Sequence, residues 1–201
     1  MKYYSLYDRM LNRKNLTEAF RKVNSANGAP GIDGQSVKDF AFNLDVEIDK
    51  LLLELKNKTY KSKPVKQVSI PKKSGGERIL GIPSVRDRVV QQALLNILQP
   101  IFDCDFHPSS YGYRPGRSGH TAISKSCMFI RKYNMKWVVN MDLSRCFDTL
   151  NHDLIIQSFR KRIVDGSILN LLRIFLESGA MKGNVFGKTE TGSPQGGVMS
   201  P

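Results

Sequence analysis

The sequence predicts an α+β fold. Three observations carry that expectation. Apolar residues recur every three or four positions in several stretches, apolar and polar residues alternate on either side of a Gly-Gly pair, and 40% of the 201 residues are hydrophobic. That is too apolar for a disordered chain and long enough to bury a core in one domain, or in one domain with a small appendage.

Asn15 with Glu18 three residues later marks a helix start leading into Leu16–Val23. Asn27-Gly28-Ala29-Pro30-Gly31-Ile32-Asp33-Gly34 is a dense turn signal. Ser36 with Asp39 opens a long helix whose Val37, Phe40, Leu44, Ile48, Leu51, Leu52 and Leu55 share a face. Alternation over Val65–Ile70 predicts a strand, Ser74-Gly75-Gly76-Glu77 the turn and Arg78–Ile82 the return. Ser84 with Asp87 caps the next helix, which runs through Val89, Val90, Leu94, Leu95 and Leu98 and is disturbed or ended by Pro100.

Residues 108–119 read as a loop, followed by a helix from Gly119 to Tyr133. Trp137–Met141 is a short apolar run that predicts a buried strand. Helices are expected near His152–Arg162, begun by Asn151, and over Ser167–Glu177. Val185-Phe186 and Thr189–Thr191 flank Gly187-Lys188 as a hairpin. Ser200-Pro201 has the form of an N-cap followed by Pro at the first helical position. An element is therefore expected to begin where the sequence stops, which reads as a truncated product.

The apolar stretches fall well short of the ~20 residues that span a bilayer, and the N-terminus has no apolar signal core. Cys104, Cys127 and Cys146 are an odd number without a CxxC pair. Disulfides and zinc knuckles are therefore not expected, and buried thiols in a reducing cytoplasm are.

Lys+Arg total 31 against 18 Asp+Glu, a net charge of +13. Such an excess calls for a polyanion, nucleic acid rather than membrane. The charge concentrates at 56–88, in Lys56, Lys58, Lys61, Lys63, Lys66, Lys72, Lys73, Arg78, Arg86 and Arg88, opposed there only by Glu77 and Asp87. On a hairpin, such charge projects into a groove and supplies phosphate contacts without sequence readout.

Asp142 closes the apolar run at 137–141. An acid at the end of a buried strand faces a site or a partner. One carboxylate does not hold two metal ions ~3.5–4 Å apart for phosphoryl transfer, so at least one more acid must come from elsewhere. The residues alone thus give a basic α+β protein with one candidate metal-binding acid.

Five blocks occur in order: Gly28-Ala29-Pro30-Gly31-Ile32-Asp33-Gly34; Ser69-Ile70-Pro71-Lys72 with Arg78-Ile79-Leu80-Gly81-Ile82-Pro83; Tyr111-Gly112-Tyr113-Arg114-Pro115-Gly116; Met141-Asp142-Leu143 with Phe147-Asp148; and Ser193-Pro194-Gln195-Gly196-Gly197-Val198-Met199-Ser200-Pro201. Each is weak alone. Together they resemble the ordered blocks of group II intron reverse transcriptases. The resemblance implies a right-hand polymerase: residues 1–60 an N-terminal extension and the start of the fingers, 61–135 the fingers with their basic hairpin, and 136–201 a partial palm with an antiparallel sheet backed by helices.

It also implies roles. Asp142 matches the first catalytic aspartate and ligand of two Mg2+ ions, with the Leu143 carbonyl as a further ligand. Lys72 and Arg78 match the residues that grip the incoming triphosphate, and Lys73 could take the place of Lys72. Phe147 would exclude a 2′-hydroxyl, and Gln195 would lie beside the nucleotide. Arg114, Pro115 and Gly116 would lie near the template, with Lys66 and Lys73 contacting RNA. Asp148 and His152 would pair structurally within the palm. The Asp33 turn either contacts RNA or is a rigid structural turn. The partners implied are RNA template and intron RNA, a DNA primer and deoxynucleoside triphosphates, in a cytoplasmic ribonucleoprotein of bacterial type. The Tyr-Ala-Asp-Asp block of the family is absent. The chain is therefore expected to be inactive alone and to expose apolar surface that favours self-association. The alternatives are a non-catalytic RNA-binding module that keeps the fingers, and a CRISPR-linked or other bacterial reverse transcriptase. An unrelated basic nuclease would need more clustered acids or histidines.

Overall fold

Short polar side chains set most of the helix starts. Asn12 accepts from the Lys14 amide, Asn151 from those of Asp153 and Leu154, and Asp165 from those of Ser167 and Ile168. Ser36 with Asp39 and Ser118 with Thr121 form reciprocal capping boxes. In chain order the helices and strands are α1 (Leu6–Met10), α2 (Arg13–Ala26), α3 (Val37–Phe42), α4 (Leu44–Lys56), β1 (Val65–Pro71), β2 (Glu77–Ile82), α5 (Val85–Phe102), α6 (Gly119–Lys132), α7 (Cys146–Thr149), α8 (His152–Arg160), α9 (Gly166–Leu176), β3 (Ala180–Lys182) and β4 (Val185–Gly187), with a 3-10 turn at Asp103–Asp105. This computed structural model describes residues 1–71, 75–183, 185–193 and 196–198.

Several boundaries move for identifiable reasons. α2 starts at Arg13 because Asn12 is the cap; Asn15 instead donates its side-chain amide to the Met10 and Ala93 carbonyls. The long helix expected from Ser36 is two helices, broken at Asn43, whose φ of −110° and ψ of 28° leave the helical region. Pro100 lies inside α5 but in its last turn, and the helix ends two residues later.

The expected hairpin β1–β2 forms, paired from Lys66↔Ile82 to Pro71↔Glu77, with Glu77 in the strand rather than the turn. The sheet is mixed, in the order β2-β1-β3-β4. β3 pairs parallel to β1 through Val65↔Ala180 and Lys66↔Met181. A parallel neighbour needs a long crossover, and α5 to α9 supply it. The second hairpin turns earlier than expected: β3 and β4 flank Gly183, whose φ of +59° suits glycine. Of 189–191 only Thr191 bridges, to Asn151.

The buried strand at Trp137–Met141 is not formed. Trp137 is 92% exposed and Val139 76%. No described strand lies beside the run, and a strand holds only when neighbours satisfy its backbone. Within 136–201 the described strands are β3 and β4, which pair antiparallel and join the hairpin through β3 in one mixed sheet, so the α+β class and the basic hairpin stand.

One apolar core joins α1–α5 to α8 and α9, with Leu6, Met10, Leu16, Phe40, Ile48, Leu94, Ile156 and Ile168 fully or nearly fully enclosed. Phe20 stacks on Phe40 at 5.2 Å. α6 buries none of its residues. The cysteines are not buried as expected: Cys104 and Cys127 are exposed and Cys146 half-buried. Among the described residues no helix is long and apolar enough to cross a membrane.

Candidate nucleotide and nucleic-acid interface

The hairpin carries the accessible charge. In its register Ile70 faces Arg78, Val68 faces Leu80 and Lys66 faces Ile82. Directly opposed residues and alternate residues share a face, so Lys66 and Arg78 lie on the same side, about 13 Å apart along the strand. Both are exposed, and neither meets an acid among the described residues. Gly75 and Gly76 have φ of +86° and +82° with open space around them. Lys72, Lys73 and Gln195, expected in nucleotide or RNA contacts, lie outside the described residues. Other cations of the basic window are already paired: Lys63 with Asp33 at 2.9 Å and Arg86 with Glu54.

The hairpin is rooted in a buried polar cluster. The Asp87 carboxylate accepts from the Tyr60 hydroxyl, from the Lys63 amide at 3.0 Å and from the Ser84 hydroxyl at 2.7 Å. Burial pushes the Asp87 carboxyl up, against the lowering effect of those hydrogen bonds. Burial and the neighbouring Asp87 push the Tyr60 phenol well up. The turn at 27–34 docks on the same helix start. Arg88 donates to the Ala29 carbonyl at 2.7 Å, and a Cβ on Gly31 would stand 2.6 Å from the Ser84 Cα. The Asp33 turn is thus tied down structurally, with Asp33 itself held by Lys63.

A second staple places Phe147. The Ser193 amide donates to the Phe147 carbonyl at 2.8 Å and the Gly192 amide to the Leu150 carbonyl at 2.7 Å. His152 Nε2 lies 2.7 Å from the Gly192 carbonyl oxygen. Gly192 has a φ of +83°, and a Cβ there would meet the Asp148 and Phe147 carbonyl oxygens at 2.8 Å. The expected Asp148–His152 pairing is not made: Asp148 contacts Arg145 at 3.4 Å, while buried His152 holds the 191–193 backbone. Phe147 itself is 39% exposed.

The staple reaches the hairpin. A Cβ on Gly196 would stand 2.9 Å from the Gly81 carbonyl oxygen of β2. Residues 192 and 193 thus pack on the turn carrying Phe147, and Gly196 packs on the strand carrying Arg78. Sequence reasoning missed these contacts; the glycines at 81, 192 and 196 are the signal that could have pointed to close backbone approach.

Arg114 is turned into its own loop. Its side chain is only 6% exposed. It forks onto the Asp103 carboxylate at 2.8 and 3.2 Å and also donates to the carbonyls of Asp103, His107 and Ser110. Those bonds shape the turn that leaves Pro115 and Gly116 exposed. The Asp103 carboxyl is held below its usual range by the hydrogen bond and charge of Arg114.

Asp142 and Leu143 are exposed, and no described residue pairs with the Asp142 carboxylate. No group of three or more His, Cys, Asp or Glu side chains with metal-binding geometry occurs among the described residues. One carboxylate and one carbonyl do not compose a two-ion centre, so the described residues do not fit one.

The α+β scaffold thus carries an exposed cationic ribbon and two glycine-packed turns. Residues 70–201 match the reverse transcriptase (RNA-dependent DNA polymerase) family, and the chain belongs to it. It is 40% identical over 191 residues to Protein YkfC of Escherichia coli, covering 92% of this chain and 50% of that one. It is 34% identical over 187 residues to the group II intron-encoded protein LtrA of Lactococcus lactis subsp. cremoris, covering 91% of this chain and 30% of LtrA. The chain thus spans half the length of YkfC and under a third of LtrA. A chain of the partial Cas6-RT-Cas1–Cas2 complex shares the fold at a TM-score of 0.61 and 17% identity, over 98% of this chain and 33% of that one.

Proposed function

We propose that this chain is the N-terminal part of an RNA-directed DNA polymerase of the group II intron type, with residues 1–60 an N-terminal extension and the start of the fingers, 61–135 the fingers and 136–201 a partial palm. Lys66 and Arg78 form the anion-facing side of the fingers hairpin, and Lys66 and Lys73 contact RNA. Arg78 and Lys72 grip the triphosphate of a deoxynucleotide, with Phe147 and Gln195 at its sugar and base. Arg114 shapes the turn that presents Pro115 and Gly116 to an RNA template. Asp142 is the catalytic acid and, with the Leu143 carbonyl, one part of a magnesium site whose other carboxylates come from outside the described residues. The working setting is a cytoplasmic ribonucleoprotein with intron RNA and a DNA primer, and a role in intron splicing accompanies copying.

The observation that supports this most is the close packing of Gly196 on β2, the strand of the unneutralised Arg78, and of Gly192 on the Phe147 turn. Its test is deoxynucleoside triphosphate binding followed by fluorescence. Arg78→Ala should weaken binding by about 10-fold or more, as expected for a charge-assisted phosphate contact. Unchanged affinity would refute the assignment.

The lone Asp142 carboxylate favours a second reading, an RNA-binding module without chemistry of its own. RNA-templated primer extension with magnesium, run beside Asp142→Asn, separates the two. Extension abolished by the substitution establishes catalysis; no extension by either protein leaves the binding reading.

A further inference from the structure

The spacing Ser84-x-x-Asp87 has the form of a helix capping box, in which the third-position carboxylate turns back to the cap's own amide. Asp87 does not do this. Ser84 caps normally, its hydroxyl accepting from the Asp87 amide. The Asp87 carboxylate points elsewhere and gathers three donors from two separate segments. Tyr60 and Lys63 lie just before β1, which begins at Val65; Ser84 lies just after β2, which ends at Ile82. One oxygen takes the Tyr60 hydroxyl, the other takes both the Lys63 amide and the Ser84 hydroxyl. A single carboxylate thus holds both roots of the hairpin, each two residues from its strand.

The site is closed to water. Asp87 and Ser84 have no exposed surface, and Tyr60 is buried. Tyr60 is fixed in turn by the edge of Phe175 at 6.1 Å and by the Arg86 guanidinium 5.5 Å from its ring centroid. Arg86 pairs with Glu54 at the end of α4. A buried charged acceptor holding three donors is among the stronger polar arrangements a core can contain, and removing it leaves those donors unsatisfied.

We propose that Asp87 is a positioning residue that sets the angle of the β1–β2 hairpin and so aligns Arg78 and Gly81 with Gly196. This rests on the reading that the hairpin face receives a triphosphate. The leverage is geometric. The five-residue step from Val65 to Ile70, the partner of Arg78, is about 17 Å, so a tilt of about 10° at the roots moves that level by about 3 Å. Misplacement of even about 1 Å is enough to cost a binding or reacting group much of its effect.

The test compares Asp87→Asn with wild type in this 201-residue chain. Asn keeps the size but presents two donor hydrogens where one oxygen now accepts. Two quantities are read below the melting temperature: amide hydrogen exchange, and affinity for deoxythymidine triphosphate. Asp87→Asn should speed exchange in 65–71 and 77–82 by about 10-fold or more beyond any change in α2 and α5, and weaken triphosphate binding by a similar factor. Leu16→Ala, a core truncation in α2, is the control for lost stability. It should leave both the hairpin-to-core exchange ratio and the affinity unchanged. If Asp87→Asn does not fold, Tyr60→Phe, which removes one donor and keeps the ring, is judged by the same criteria.

Hairpin exchange rising only in step with the core would overturn the proposal. So would an equal loss of affinity in Leu16→Ala. If the wild-type chain binds no triphosphate, the nucleotide reading fails separately, and the exchange ratio still decides whether Asp87 sets the hairpin.

Discussion

Gly31 is the position where a single added carbon has the most predictable effect. It is buried, and a Cβ built on it would lie 2.6 Å from the Ser84 Cα, 2.7 Å from the Ser84 nitrogen and 3.0 Å from the Pro83 carbonyl carbon. All three obstacles are backbone, at a helix cap pinned by Asp87, so no side chain can swing aside. The 27–34 turn must lift from α5 instead. Lifting strains the Arg88 bond to the Ala29 carbonyl and the Lys63–Asp33 pair. Overpacking of this kind costs about 1–3 kcal/mol, and loosening a charge-assisted bond costs about 1.5–3 kcal/mol. The two overlap, so Gly31→Ala should destabilise by about 3 kcal/mol, near 6–12 °C in Tm for a chain of this length. Gly34 is the internal control. Its φ is +71° and nothing lies within 4 Å, so Gly34→Ala meets only left-handed strain of about 1–2 kcal/mol. Thermal melts followed by far-UV circular dichroism measure both. A Gly31→Ala protein melting within about 2 °C of wild type, or above Gly34→Ala, would refute the packing argument.

Gly192→Ala combines a φ of +83° with two carbonyl oxygens at 2.8 Å; it should release the 191–193 staple, seen as faster exchange of the Gly192 and Ser193 amides while α2 stays protected. The Asp103–Arg114 fork should make the 103–117 loop acid-sensitive. The folded-state pKa of Asp103 is depressed, so its stabilisation is complete above the unfolded value of about 3.9 and is lost as pH falls through the lower folded value. The Arg114 Nε–H resonance should report that loss, and Asp103→Asn should remove the pH dependence. RNA affinity should fall by roughly 10³-fold between 50 and 200 mM salt if about six phosphates are contacted; a flat titration would dismiss the cationic face as an RNA surface.

What the sequence made legible is local. The two strands of the β1–β2 hairpin, the start of α5 at Ser84 and the helix from Gly119 follow from residues within a few positions of each other, and the structure keeps them. Readings that needed a distant partner fared differently. Asn15 looks like a cap, but its amide is drawn to the Ala93 carbonyl on α5, and α2 starts earlier. Trp137–Met141 has the composition of a buried strand, yet a strand exists only beside another, and none of the described strands lies there. The pairing of Arg114 with Asp103, eleven residues away, was not legible in the sequence at all.

The start of α5 shows why composition and contact diverge. Arg86, Asp87 and Arg88 read as part of one basic run, yet consecutive residues on a helix are about 100° apart. Each therefore meets a different segment: Arg86 meets Glu54 of α4, Asp87 the two hairpin roots, and Arg88 the Ala29 turn. Two of the ten cations in the basic window are thereby turned into structure, and Lys63 follows through Asp33. The charge left unpaired on the hairpin at Lys66 and Arg78 is thus set apart by the same helix start that anchors the hairpin. A substitution at Arg86 or Arg88 would be expected to act on folding, and one at Arg78 on anion binding, although all three look alike in the sequence.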